Sequence, residues 1–325
     1  MYYREIGSEF HFVECDAGAG IKFPRSGALT FSGRTAIEAV LKKMPRARTA
    51  LLPSYCCDSM IDPFRRAGIS CSFFDVNYND RLTIDLSKKK ADILLWCNYF
   101  GFKNQIPSFD GVIIEDITHS LFSVESHHSE SDYLVASVRK WEPICSGGYC
   151  SVDAELEQPP LSFLDDKVAA MKLKSEYLKD LDAEKKPIFL SALKASNEWL
   201  AENYSGLAID AYSKEYISNV DMVAQREIRR RNARILYEGL RNKIEFMFDE
   251  ELIDCPLFVP IIIRKKRDEI RRYLAENNIY CPVHWPRPFA DCSSNLYDIE
   301  LSLICDQRYD ENDMERIVSV LNSKL

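Results

Sequence analysis

No run of about 18 apolar residues occurs in the chain, so nothing in it reads as a membrane span. Glycine and proline are sparse, 12 and 14 in 325 residues, which excludes collagen-like and linker-dominated sequences. Basic residues are in deficit. The 42 Lys and Arg stand against 50 Asp and Glu, a net charge of −8, so no basic face for nucleic acid is expected. The eleven cysteines include no CxxC pair and are odd in number, which disfavours a disulfide scaffold. The first residues, MYYREIGSEFHF, lack the apolar run of a secretion signal. A cytoplasmic protein with reduced thiols is therefore the expectation. Repeats and low-complexity segments are also absent.

What is present is a composition able to build a full core: 46% hydrophobic, 28% charged and 11% aromatic. Its length suits one large domain or up to two ordinary ones. TALLP (49–53), SCSFFDV (70–76), DILLWCNYF (92–100), GVIIED (111–116) and YLVAS (133–137) read as strands. Most are near-continuous apolar runs, the pattern of strands buried on both faces. Between them, residues 34–44 place Ile37, Val40, Leu41 and Met44 on one helical stripe, and residues 57–67 place Met60, Ile61, Phe64 and Ala67 likewise. Strands alternating with helices imply an α/β architecture with a parallel sheet. Residues 161–204 and 219–243 read as helical. Strands over 258–264, 279–283 and 300–305, with helices over 266–278 and 310–325, make a second, smaller α/β unit. The expected division is 1–218 and 219–325.

In such sheets ligands sit beyond the carboxyl ends of the strands, so the residues after each strand carry the chemical interest. Ser32-Gly33-Arg34-Thr35 opens a helix. Its free N–H groups suit a phosphate, although a plain N-cap would use the same residues. Neither GxxxxGK nor GxGxxG is present. Glu115-Asp116, at the end of a buried run, delivers a carboxylate to the crevice, for a metal ion or for a protonated ring nitrogen; a helix cap is the plain alternative. Lys140, in Ser137-Val138-Arg139-Lys140-Trp141, lies beside an aromatic and a cation ahead of Gly147-Gly148. A lysine so placed loses pKa and becomes a nucleophile, whereas a surface lysine would not. Together the three supply what pyridoxal 5'-phosphate (PLP) needs: a phosphate cup, an acid for the pyridine nitrogen and an amine for the aldehyde.

Other residues carry weaker signals. Cys281, His284 and Cys292 lack a fourth ligand for a metal site, and no metal is expected. His284 and Trp285 follow a small-domain strand and suit a substrate mouth. Arg308 is a candidate for a substrate carboxylate or for an ion pair with Asp306 or Asp310. His127-His128 reads as a polar loop, the basic run 264–267 as surface, and Cys56-Cys57 as thiols.

The segments Ser32-Gly33-Arg34-Thr35-Ala36-Ile37, Pro53-Ser54-Tyr55-Cys56-Cys57, Glu115-Asp116-Ile117-Thr118-His119 and Ser137 to Lys140 with Gly147-Gly148 follow in that order. As a set, over about residues 28–150 and more weakly beyond, the chain resembles the DegT/DnrJ/StrS-type sugar aminotransferases. The resemblance implies PLP fold type I: a large domain with a mostly parallel mixed sheet between helices, and a smaller C-terminal α/β domain. It implies Lys140 as the Schiff-base lysine, Asp116 on the pyridinium, His119 near the ring or its phenolic oxygen, and Gly33, Arg34, Thr35 and Ser137 at the phosphate. Cys57 stands where relatives usually place an aromatic ring against the cofactor, with Tyr55 the substitute. It further implies an amino-acid donor such as glutamate, a keto-sugar acceptor linked to a nucleotide, and a homodimer. In that dimer Arg229, Arg230 and Arg231 or Asn232 would face the neighbour's ligand or form a solvated helix face. Two other readings follow from the same resemblance: a PLP sugar dehydratase, disfavoured by the lysine, or a non-catalytic homologue that binds a nucleotide-sugar or a partner protein.

Overall fold

The computed structural model describes residues 4–15, 18–86, 90–102, 105–123 and 130–325; the His127-His128 loop lies outside the described residues. A short strand, β1 (Ile6–Gly7), comes first, then β2 (Ala28–Thr30), which leads into α1 (Gly33–Leu41). There follow β3 (Thr49–Pro53), α2 (Asp58–Arg66), β4 (Ser70–Tyr78), β5 (Leu82–Asp85), β6 (Ile93–Cys97), β7 (Val112–Asp116), β8 (Tyr133–Ser137) and β9 (Gly148–Cys150). β2 to β9 form one sheet in the order β2-β9-β8-β7-β6-β3-β4-β5. β4, β3, β6, β7 and β8 are mutually parallel, while β9 and β5 run against their neighbours. Every residue of β6 is buried, as a strand covered on both faces requires. Each fully buried Leu or Ile there contributes about 1.5–3 kcal/mol.

The helical stretch after residue 160 divides into α3 (Leu161–Asp180) and α4 (Lys185–Glu202). The break comes at Leu181, whose φ of 56° is left-handed and cannot continue a helix. A further helix, α5 (Ala211–Ile217), precedes α6 (Met222–Leu240). The C-terminal unit adds β10 (Glu245–Phe246), β11 (Val259–Ile262), α7 (Arg267–Glu276), β12 (Ile279–Tyr280), α8 (Leu296–Ile299), β13 (Glu300–Leu303) and α9 (Glu311–Lys324). Its antiparallel sheet runs β10-β11-β13. Leu236, Leu240, Ile261, Leu301, Met314 and Leu321 are buried together as its core.

Two features depart from the sequence reading. The strand expected over 279–283 ends at Tyr280 and pairs in parallel with β1 rather than joining the small sheet. Pro282 has no N–H to give a ladder, and its carbonyl is taken by the N–H of Ser302 at 3.0 Å. The N-terminal strand was not anticipated, and it packs with the C-terminal unit: Ile6 is buried in the core formed by α6, β11 and β13. In return, Cys292, Leu296 and Tyr297 are buried in the core of the large sheet. The Tyr297 hydroxyl accepts from the N–H of Cys56 at 2.9 Å and donates to that residue's carbonyl at 2.7 Å. This interlock holds the segment carrying His284 and Trp285 against the carboxyl ends of the parallel strands.

Candidate active site

The carboxyl ends of β6, β7 and β8 and the start of α1 enclose a cavity of about 160 Å³. Ser32 caps α1 by accepting from the N–H of Thr35 at 3.3 Å. The hydroxyl of Thr35 donates to the carbonyl of Tyr204 at 2.8 Å, so it serves the scaffold and does not line the cavity. Gly33 and Arg34 do line it. A methyl group on Gly33 would come within 3.2 Å of the Ser137 Cβ, and one on Gly148 within 2.3 Å of the Ser32 carbonyl oxygen. Glycine at these two positions lets the helix start lie against the strand ends, with the first N–H groups, those of Gly33 and Arg34, at the cavity as an anion cup. The Nε atoms of Arg34 and Arg139 at this cavity are buried without a hydrogen-bond partner among the described residues.

Asp116 ends β7, directly beside Cys97 at the end of β6. Its Oδ1 accepts from the N–H of Thr118 at 2.9 Å. Burial raises its pKa, against the lowering effect of the Thr118 bonds. A buried carboxylate of this kind gains by meeting a cationic N–H. His119 is buried on the same wall, and its Nδ1 accepts from the N–H of Phe100 at 3.1 Å. Burial, then His284 and Lys140, push its pKa well down. The ring is therefore neutral, with its proton on Nε2.

Lys140 closes the cavity from a 3₁₀ turn, Val138–Lys140, just after β8. The turn is held by Trp141, whose indole N–H donates to the carbonyl of Thr118 at 2.6 Å, and by the side chain of Gln307, which donates to the Trp141 carbonyl at 2.8 Å. The Lys140 side chain opens to water within the cleft, yet protein surrounds it closely. Burial lowers its pKa, opposed by Cys57 and reinforced by Arg139 and Arg34. An amine so poised deprotonates more readily than a free lysine.

Not every sequence candidate meets here. Cys57, Ser137 and Trp285 line the cavity. Tyr55 does not: it is buried behind the wall, with ring centroids 5.6, 5.1 and 5.2 Å from Tyr99, Trp285 and Tyr297. Trp285 puts an aromatic ring on the cavity wall, its centroid 5.6 Å from that of His119. His284 lines a second, larger cavity of about 900 Å³, which shares Arg34, Arg139 and Lys140 with the first. Its Nδ1 lies 2.8 Å from the Ser302 hydroxyl, which donates to Glu300. Arg308 lines the same space but is forked onto Asp306, Nε to Oδ1 at 2.8 Å and Nη2 to Oδ2 at 2.7 Å. Arg230 and Arg231 are not among its lining residues, and Arg229, expected as neighbour-facing or solvated, is wholly buried on its wall. Cys97 and Ser59 were missed by the sequence reading, Thr118 was named only as a neighbour of Asp116, and Arg139, the cation expected beside Lys140, lines the cavity with it. Cys97 and Thr118 follow the strand-end rule that found Asp116. Among the described residues, no group of three His, Cys, Asp or Glu is arranged for a metal ion, and no helix is long and apolar enough to cross a membrane.

No protein-family model matches the sequence, and no curated protein matches it. Solved structures do match. The sugar aminotransferase CalS13 from Micromonospora echinospora superposes with a TM-score of 0.62 at 14% identity, over 94% of this chain and 89% of that one. A DegT DnrJ EryC1 StrS aminotransferase from Brucella abortus gives 0.59 at 14%, over 91% and 85%. Spr1654 from Streptococcus pneumoniae, in its PLP form, gives 0.60 at 11%, over 94% and 89%. The chain has the sugar-aminotransferase fold. In that fold the cavity at the strand ends, with Lys140 on one side and Asp116 on another, is the place to ask about chemistry.

Proposed function

We propose that the chain is a PLP-dependent aminotransferase of the DegT/DnrJ/StrS kind. It would move an amino group from an amino-acid donor, glutamate in the first instance, to a keto-sugar linked to a nucleotide, in polysaccharide or natural-product biosynthesis. A cytoplasmic homodimer belongs to the same reading. The observation that carries it is the convergence of Lys140, Asp116, His119 and the α1 cup on one small cavity. The donor set fits the cofactor: Arg34 at the start of α1 and Arg139 in the turn after β8, each with an Nε unpartnered among the described residues, for a phosphate, and the buried Asp116 carboxylate for a cationic ring nitrogen.

When bound, PLP supplies an electron sink for the carbon that bears the amine. The residues of the chain do the rest. Gly33, Arg34 and Ser137 bind the phosphate and fix its position. Asp116 keeps the ring nitrogen protonated, a role that offsets the cost of burying its charge. His119 donates from Nε2 to an oxygen on the ring. Trp285, on the cavity wall, would help to exclude water from the bound cofactor. Lys140, with its lowered pKa, anchors the cofactor and then carries the proton between carbons as general base and acid.

The test is spectroscopic. Adding PLP to the purified protein should produce a visible absorbance band that Lys140→Ala removes and that L-glutamate converts to the amine form. A colourless protein with no measurable PLP affinity would end this reading.

A further inference from the structure

The N-terminal segment changes character at one point. Glu5, Ile6 and Gly7 are buried, with Ile6 in the core of the C-terminal unit and paired to β12. From Ser8 to Val13 no residue is buried, and Ser8 and Glu9 are exposed. The change falls where the backbone turns: Gly7 and Ser8 have φ of 90° and 64°, left-handed values that residues with side chains seldom adopt. Beyond this turn the segment crosses to α3 and α4, where its fastenings are polar. Glu9 accepts from Lys167 on α3 at 3.3 Å and from Asn197 on α4. Lys174 on α3, itself 1% exposed, donates to the Ser8 hydroxyl at 3.3 Å and to the Glu9 carbonyl. The N–H of Phe12 donates to the Met171 carbonyl at 3.1 Å.

The segment also separates hollows. Ser8, Glu9 and Phe10 line the larger cavity, whose water Lys140 meets. Phe10 and Arg308 line in addition a cavity of about 320 Å³ bordered by His11, Val13 and Tyr216. The Arg308 guanidinium lies 4.1 Å from the Phe10 centroid. A segment with little buried apolar surface, polar fastenings and space on both sides opens at low cost, unlike one fixed in a core and a strand pair. We propose that residues 8–13 are a gate on the larger cavity, hinged at Gly7 and Ser8 and latched to α3 and α4 through Glu9 and Lys174, whose opening admits bulky molecules to Lys140. The latch responds to protons. Lys174 faces Glu5, Glu9 and His11 on the N-terminal segment, Arg308 with its partner Asp306 after β13, and Lys186 on α4. Burial, then Arg308 and Lys186, push its pKa down to about 7, against Glu5 and Glu9. The shut gate therefore holds fewer protons than the open one between about 7 and the ordinary 10.5, and a fall in pH across that range favours opening. His11, held at about 4 against an ordinary 6.5, titrates below it.

The gate is tested on the PLP-free protein and needs Lys140 only as an amine, so its failure is distinct from a failure of the PLP absorbance test. Two rates are read. One is hydrogen exchange at the Phe12 N–H, corrected for its intrinsic rate. The other is labelling of Lys140 by phenyl isothiocyanate, a bulky neutral reagent, located by peptide mapping. Asn197→Ala removes one tie of Glu9 and leaves every charge in place; both rates should rise several-fold in it. In wild type the corrected exchange at Phe12 should rise about tenfold from pH 9 to pH 7, and in Lys174→Met it should stay level. Lys174→Met also serves as the second variant should Asn197→Ala fail to fold. Unaltered exchange in Asn197→Ala, or faster exchange without faster labelling of Lys140, would overturn the gate. Equal pH profiles in Lys174→Met and wild type would overturn the latch.

Discussion

The two adjoining cavities are built in different ways. Apart from Trp285, the walls of the smaller one come from residues 32–140, at the ends of the parallel strands of one mixed sheet and the start of the helix beside it. The larger one draws on Glu9 near the N-terminus, Arg229 on α6, Leu257 before β11, His284 after β12 and Arg308 after β13. A site on one sheet edge repeats the spacing of its strands, so short segments announce it. A site closed by two units meeting has no local signature and exists only once β1, α8 and the Tyr297 interlock have brought them together.

Five substitutions sharpen or break this contrast, the largest effect first. Lys140→Ala should lower amino transfer by about 10³-fold or more, measured with saturating PLP, and leave the melting temperature no lower. Activity within tenfold of wild type would mean that the small cavity is not the reacting one. Arg308→Met should cost about 3–5 kcal/mol in urea unfolding, since it strands the buried Asp306 carboxylate. A loss under about 1 kcal/mol would show that Arg308 is available to ligand after all.

Asp116→Asn should reduce turnover by about 10²–10³-fold. Without cofactor it should melt above wild type at neutral pH, because burial raises the pKa of Asp116 and its ionised form costs stability there. A lower melting point would assign the carboxylate a structural role instead. Glu142→Gln tests the other cavity through pH. The carboxyl group is held at about 8 against an ordinary 4.5. Its contribution to stability is full below the ordinary value and is lost as pH rises through the folded one, so the variant should show a flatter stability profile between those limits. Gly33→Ala should have the smallest effect, about 1 kcal/mol of strain against Ser137, read as a several-fold weaker PLP affinity.

Legibility in the sequence follows the same division. TALLP and YLVAS match β3 and β8 at both ends, because runs buried on both faces stop where polar residues begin. Asp116 and Lys140 were found because each sits at or just past such a run. Thr35 was placed at the phosphate because sequence names the residue but not which way its hydroxyl turns; the carbonyl of Tyr204 takes it. Arg229 read as one of three arginines on a helix face, and nothing local separates it from Arg230 and Arg231. Its burial comes from Trp141 and the Pro256-Leu257 backbone, neither of which is near it in sequence. The short β1 and β12 carry too few residues for any period to register.

The central claim is that the Nζ atom of Lys140 is the group that bonds to PLP. Hydride reduction of the PLP-loaded protein, followed by peptide mass mapping, tests it directly. A cofactor adduct on the peptide containing Lys140, absent from Lys140→Ala, is the result expected; an adduct on another lysine, such as the buried Lys167 or Lys174, or no adduct at all, would contradict it.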